Sequence, residues 1–100
     1  MEDYNSVLLD GMLNSDPIRG MVQKGECCST ARFALCIKVN TIAGSYCDNA
    51  PVKVFAEKLV EKCMCLLKKG MMIRVVGRLS VTSDEWFIIA DHIEIKNLQL

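Results

Sequence analysis

The sequence predicts an all-β domain with one helix: a five-stranded Greek-key barrel with the helix between the third and fourth strands. Period-two alternation over residues 31–39 sets Phe33, Leu35, Ile37 and Val39 against Arg32, Ala34, Cys36 and Lys38. The pattern recurs over residues 71–82, where Ile73, Val75, Gly77 and Leu79 oppose Arg74, Val76, Arg78 and Ser80. Between them the period lengthens, because Leu59, Cys63, Leu66 and Leu67 fall at i, i+4, i+7 and i+8. A chain of 100 residues, 51% of them hydrophobic, buries one modest core, so residues 1–100 read as a single domain. At this size oligomerisation often adds stability.

The first strand is the apolar run 5–13, closed by Asn14-Ser15-Asp16-Pro17. Gly11 within it reads as a bulge or the bend at a barrel corner. Residues 18–30, with Gly20, Lys24-Gly25 and Ser29-Thr30, read as a loop or a weakly ordered hairpin arm. The second strand, 31–39, offers on its wet face two cations separated by small side chains, a surface suited to a flat anionic ligand. Turn-forming residues fill 40–51, which predicts a connecting loop with Tyr46 exposed at its middle. A third strand follows at 52–56. The helix then runs from Glu57 to Gly70, a residue able to take the left-handed conformation of a helix end, with Lys68 and Lys69 suiting the dipole there. Its polar face carries both signs, which suits a core plug better than a recognition helix. A tight turn at 83–85 separates the fourth strand from the fifth, 86–95. Five strands with a helix in that place is the order of an OB-fold.

Net charge is zero, yet its distribution is uneven. Residues 19–82 carry eleven Lys or Arg against four acids, whereas 1–18 hold four acids and no base, and 83–100 four acids and one Lys. The N-terminus lacks the basic and apolar regions of a signal peptide, and no apolar run approaches the roughly 20 residues of a membrane span, so a cytoplasmic protein without membrane association is expected. Six cysteines in such a chain read as reduced thiols. No metal is expected from their spacing, since Cys63 and Cys65 on a helix point about 200° apart. No enzyme is expected either. His92 sits in an apolar strand ending, no Ser has a His and an acid in any motif around it, and no Gly-rich phosphate loop follows a strand, so neither catalytic residues nor a cofactor are assigned.

Several segments, in order and at matching spacing, resemble the bacterial single-stranded DNA-binding protein family. Asn5-Ser6-Val7-Leu8-Leu9-Asp10-Gly11-Met12-Leu13 followed by Asp16-Pro17 resembles its opening, and Arg32-Phe33-Ala34-Leu35 its second strand. Lys58-Leu59, Lys68-Lys69-Gly70 and Gly77-Arg78-Leu79 are similar to its helix and fourth strand, and Ala90-Asp91 with Ile93 and Ile95 to its last strand. The resemblance implies sequence-tolerant binding of single-stranded DNA in replication, recombination or repair, and self-association as a homotetramer, with a homodimer as the alternative. The family's stacking aromatic before the helix falls on Ala56. Phe55, one residue off, is therefore read as a core residue unless a bulge returns it to the binding surface. The family's acidic C-terminal tail is missing from a chain ending at Leu100, so partners recruited through that tail are not expected.

Such binding needs cations along the phosphates and aromatic faces under the bases. The candidate residues are Arg32, Lys38, Lys53, Arg74 and Arg78 for phosphate, and Trp86, Tyr46 or Phe55 for stacking. The competing reading is a protein-interaction or primosome-type accessory subunit that keeps the barrel with weak or lost DNA binding. Zero net charge, scarce aromatics and the Met and Cys content favour that alternative.

Overall fold

A computed structural model describes residues 5–24 and 26–96, with side chains described outside 22–28. The elements are β1 (Val7–Leu13), β2 (Ile18–Lys24), β3 (Glu26–Thr41), β4 (Gly44–Val54), α1 (Glu57–Leu66), β5 (Met72–Val81) and β6 (Trp86–Ile95). Strands pair in the order β1-β5-β6-β4-β3, and β1 also meets β3 through Met12↔Cys36 and Leu13↔Leu35. Five strands thus close on themselves, with β4 and β6 parallel and the other neighbours antiparallel. The barrel is an OB-fold, and β2 lies outside it on β3.

One predicted loop, residues 40–51, is mostly strand, and of the two readings given to the segment after residue 17 the hairpin arm is the one observed. Residues 18–24 form β2, held by seven register pairs to β3, so in chain order the helix lies between β4 and β5. Arg19 and Gly20 break any alternation there, and the ladder rather than side-chain burial supplies the order. Residues 40–51 belong mostly to one long hairpin, since β3 runs to Thr41 and β4 starts at Gly44, where φ is +138°. Its turn-rich composition satisfies its backbone groups across the ladder as far as Thr41↔Gly44.

The helix is shorter than its sequence pattern. It stops at Leu66, and Leu67 turns extended (φ −83°, ψ 136°) while its N–H still donates to the Cys63 carbonyl at 3.0 Å. The early stop lets Leu67 enter the core, whereas Leu66 is left exposed and Val60 takes the buried place instead. Gly70 has φ +92° beyond the helix end, and its N–H donates to the Leu13 carbonyl at 2.9 Å. Leu13, Leu35, Val52, Val54, Ile73 and Val75 fill the barrel, and α1 packs Val60 and Cys63 onto that cluster, joined by Leu67 just past the helix end. Full burial of such side chains is worth about 1.5–3 kcal/mol each, which makes this cluster the dominant source of stability.

The motif residues outside the core close the barrel. The Asn5 side chain donates to the Leu79 carbonyl at 2.6 Å and accepts the Leu79 N–H at 2.9 Å, extending the β1–β5 ladder by one rung. Asp16 Oδ1 accepts the Lys69 N–H at 2.7 Å, tying the β1 exit to the segment after α1. Gly11 stands in regular register with Ile73, without a bulge, where β1 passes from β5 to β3; a Cβ there would meet the Cys36 carbonyl oxygen at 2.9 Å. The register shift falls at Val76/Gly77 instead, and a Cβ on Gly77 would collide with the Ile89 carbonyl oxygen.

Candidate nucleic-acid interface

Alternation along β3 and β4 sends Phe33, Leu35, Val52 and Val54 inward and leaves Arg32 and Lys53 outward as direct cross-strand partners. Phe55 continues that phase one step past the strand and is 42% exposed. Its placement in the core is thereby corrected. No bulge is needed, because Val52 and Val54 already fix which side residue 55 takes. Two adjacent concavities share Arg32 and Lys53. One, of about 290 Å³, is bounded by Arg19, Met21, Thr30 and Phe55, and the other, of about 340 Å³, by Ile18, Ala34, Pro51 and Glu85. Together they make a groove across β2, β3 and β4.

Charge in the groove is only partly neutralised. Arg32 makes no ion pair or side-chain hydrogen bond within the described residues. Lys53 Nζ lies 3.2 Å from Glu85 Oε1 and 4.1 Å from the centre of the Phe87 ring. An exposed pair of this kind is worth about 0–1 kcal/mol and a surface cation–π contact about 0.5–1, so neither holds Lys53 against a phosphate. Arg19 is paired with Glu61 of α1 at 3.1 Å.

The other candidates stand elsewhere. Lys38 lies six residues past Arg32 on β3, about 20 Å along the strand, and lines a different cleft with Asp10 and Met12. Arg74 is committed to Asp10 by a two-pronged contact, Nε to Oδ1 at 2.8 Å and Nη2 to Oδ2 at 3.0 Å, with Lys96 3.5 Å from the same carboxylate. The Arg74 hydrogen bond holds the Asp10 carboxyl below its ordinary value, and the same bond raises Arg74. Arg78 pairs with Asp91 at 3.4 Å. Trp86 is exposed on the barrel-interior side of β6, where it lines an apolar mouth of about 400 Å³ with Leu9, Ile37, Val39 and Ile88. Tyr46 is exposed on the hairpin opposite Val39, on that same side. Of the eight sequence candidates, the structure brings together Arg32, Lys53 and Phe55, and it separates Lys38, Arg74, Trp86 and Tyr46 from them. Arg78 is joined to Lys53 only through Ile89, its β5–β6 partner and Lys53's partner across β4–β6.

Sequence reasoning missed the β2 wall and Glu85. The first lacked a strand signal, and the second reaches Lys53 across 32 residues of chain. No described helix is long and apolar enough to cross a membrane. No group of three or more His, Cys, Asp or Glu converges among the described residues.

Fold and groove together define a class: an OB barrel with an open cationic groove on its β3–β4 face, walled by an added strand. No family model matches the sequence. No curated protein matches it by sequence either. Among solved structures, the Plasmodium falciparum SSB in complex with ssDNA matches with a TM-score of 0.77 at 17% identity, covering 97% of this chain and 98% of that one. A deletion mutant of the single-stranded DNA binding protein from Thermus aquaticus matches with a TM-score of 0.73 at 22% identity, covering 97% of this chain and 43% of that one. At these identities the likeness is one of fold.

Proposed function

We propose that this protein binds single-stranded DNA without reading its sequence, along the groove between β2 and β4, in replication, recombination or repair. The observation that carries the reading is the convergence of unpaired Arg32, loosely held Lys53 and exposed Phe55 on one open groove. Cations spaced along a groove with an aromatic face beside them are what sequence-tolerant binding requires. The fold likeness to a structure solved with ssDNA supports the same reading. Phe55 supplies the stacking face, and Ile18 and Met21, both exposed, supply apolar contact at the β2 wall. Binding, rather than catalysis, is the role these groups fit.

Self-association as a homotetramer or a homodimer belongs to the same proposal, supported by Leu8, exposed on the outward side of β1 beside Val76. Sedimentation velocity reads it directly. The binding itself is tested by anisotropy of a labelled oligo-dT at two salt concentrations. Affinity that falls as salt rises is expected, because phosphate contacts release counterions. Absence of binding at low salt, or affinity indifferent to salt, overturns the reading in favour of a protein-interaction subunit.

A further inference from the structure

A separate cleft of about 320 Å³ opens on the outer face where β1 leaves β5 and takes up β3. Four sulfur-bearing side chains line it: Met12, Met72, Cys36 and Cys47. Met12 is the cross-strand partner of Met72 on one side and of Cys36 on the other, so three of them stand in one lateral row. Cys47 lies diagonally from Cys36 across the β3–β4 ladder, since Cys36 pairs with Asn49 and Cys47 with Lys38. Both thiols are free, Cys36 half-buried and Cys47 exposed.

We propose that this cleft is a binding site for a soft monovalent metal ion, Cu(I), with Cys36 and Cys47 as thiolate ligands and Met12 as a thioether ligand, Met72 lining the same side. Thiolate and thioether donors select Cu(I) over harder ions. Zinc fits poorly, because it takes a closed set of four thiolate, imidazole or carboxylate ligands, and of the three such groups lining the cleft, Cys36, Cys47 and Asp10, the carboxylate is already engaged by Arg74 and Lys96. A disulfide fits poorly too. Diagonal neighbours in an antiparallel ladder are about 7–8 Å apart, against roughly 4.4–6.8 Å between the Cα atoms of a disulfide. An ion between the sulfurs, at about 2.3 Å from each as in zinc thiolates, spans that longer gap without moving the backbone.

Binding breaks two S–H bonds and forms two metal–thiolate bonds, and both protons go to solvent. No electron is transferred. The cleft's other charged lining groups are the Lys38 ammonium, which offsets the negative charge left on the site, and the Asp10 carboxylate, itself offset by Arg74 and Lys96. The ligands come from β1, β3 and β4, and the β1–β3 seam they cross is held by only two register pairs. A bound ion therefore ties the barrel shut at one of its two shortest pairings, and it stabilises the fold by mass action.

The test uses the reduced full chain without oxygen, loaded with Cu(I) in competition with a chromophoric Cu(I) chelator, and with Ag(I) as a redox-inert surrogate. Native mass spectrometry counts ions per chain, and thermal melts follow stability. One ion per chain is expected, with a higher Tm on loading. Cys36→Ser with Cys47→Ser removes both thiolate ligands and should abolish binding, whereas Met12→Leu, which keeps them, should weaken it by on the order of 10–100-fold. That double variant keeps Cys27, Cys28, Cys63 and Cys65, so unchanged affinity in it overturns the site. Affinity lost instead in Cys27→Ser with Cys28→Ser also overturns it. Should the double variant fail to fold, Ag(I) protection of wild-type thiols from maleimide decides. Protection of Cys36 and Cys47 is expected, and labelling of both at the metal-free rate contradicts the proposal.

Discussion

Arg32 and Lys53 face each other across the β3–β4 ladder, an arrangement that costs energy because like charges directly opposite are destabilising. Glu85 relieves Lys53 in part and no acid among the described residues pairs with Arg32, so a bridging phosphate would remove the repulsion. Phe55 sits beside the pair, and its contribution is separable. Phe55→Ala should weaken oligo-dT binding by about 1–3 kcal/mol, roughly 5- to 150-fold, in the same anisotropy titration, and Phe55→Trp should retain it. Trp86→Ala should leave affinity unchanged, since Trp86 lines the barrel mouth away from the groove. Cys63 makes a different prediction. Burial pushes its thiol up from 9.0 to about 11. The unfolded chain therefore loses that proton first, and the contribution of Cys63 is complete below pH 9 and lost as pH rises toward about 11. Cys63→Val should remove about 2–3 kcal/mol of the stability lost over that interval, read by urea titrations at both ends. Lys53 was legible as an outward cation, whereas the side taken by Phe55 follows from the phase of Val52 and Val54 and not from the resemblance, in which the family's aromatic falls on Ala56.

The strands that alternate cleanly, β3 through Val39 and β5 through Gly77, were legible because burial of one face writes period two into the sequence, whereas Leu79, set with the same face, is 40% exposed. β2 was not legible. Its order comes from backbone pairing to β3, which leaves no trace in side-chain polarity. The long β3–β4 hairpin was hidden for a related reason, as its turn-forming residues sit in a ladder that extends past the core. The segments resembling the single-stranded DNA-binding family carry structure more than chemistry. Asn5 adds a ladder rung, Asp16 ties the segment after α1, and Gly70 turns the chain into β5. Gly77 is the most demanding of them. Gly77→Ala forces a Cβ into the Ile89 carbonyl at the register shift, and should cost about 1–3 kcal/mol or more, seen as a drop in Tm of several degrees. An unchanged Tm would mean that β5 and β6 can part there at no cost.

The molecule as a whole places its charge unevenly, and the barrel explains how a chain of zero net charge can present a cationic groove. Asp10 and Asp91 are spent on Arg74 and Arg78 at other points of the surface and Glu61 on Arg19 at the groove's wall, leaving Arg32 without an ion pair among the described residues. Composition alone recorded the totals, and only the fold assigned each acid to a base. The central claim is that binding follows this groove rather than the cationic surface in general. Its most direct measurement compares Arg32→Ala with Lys53→Ala against Lys38→Ala with Arg74→Ala, each double variant titrated with labelled oligo-dT across salt concentrations. Two cations are removed in both cases, so net charge is held equal. The groove pair should lose most of its affinity, and its slope of log K against log salt should flatten by about 1.4, near 0.7 for each single-strand phosphate contact, while the second pair keeps both affinity and slope. Equal losses in the two double variants, or a larger loss in the second, would contradict the account.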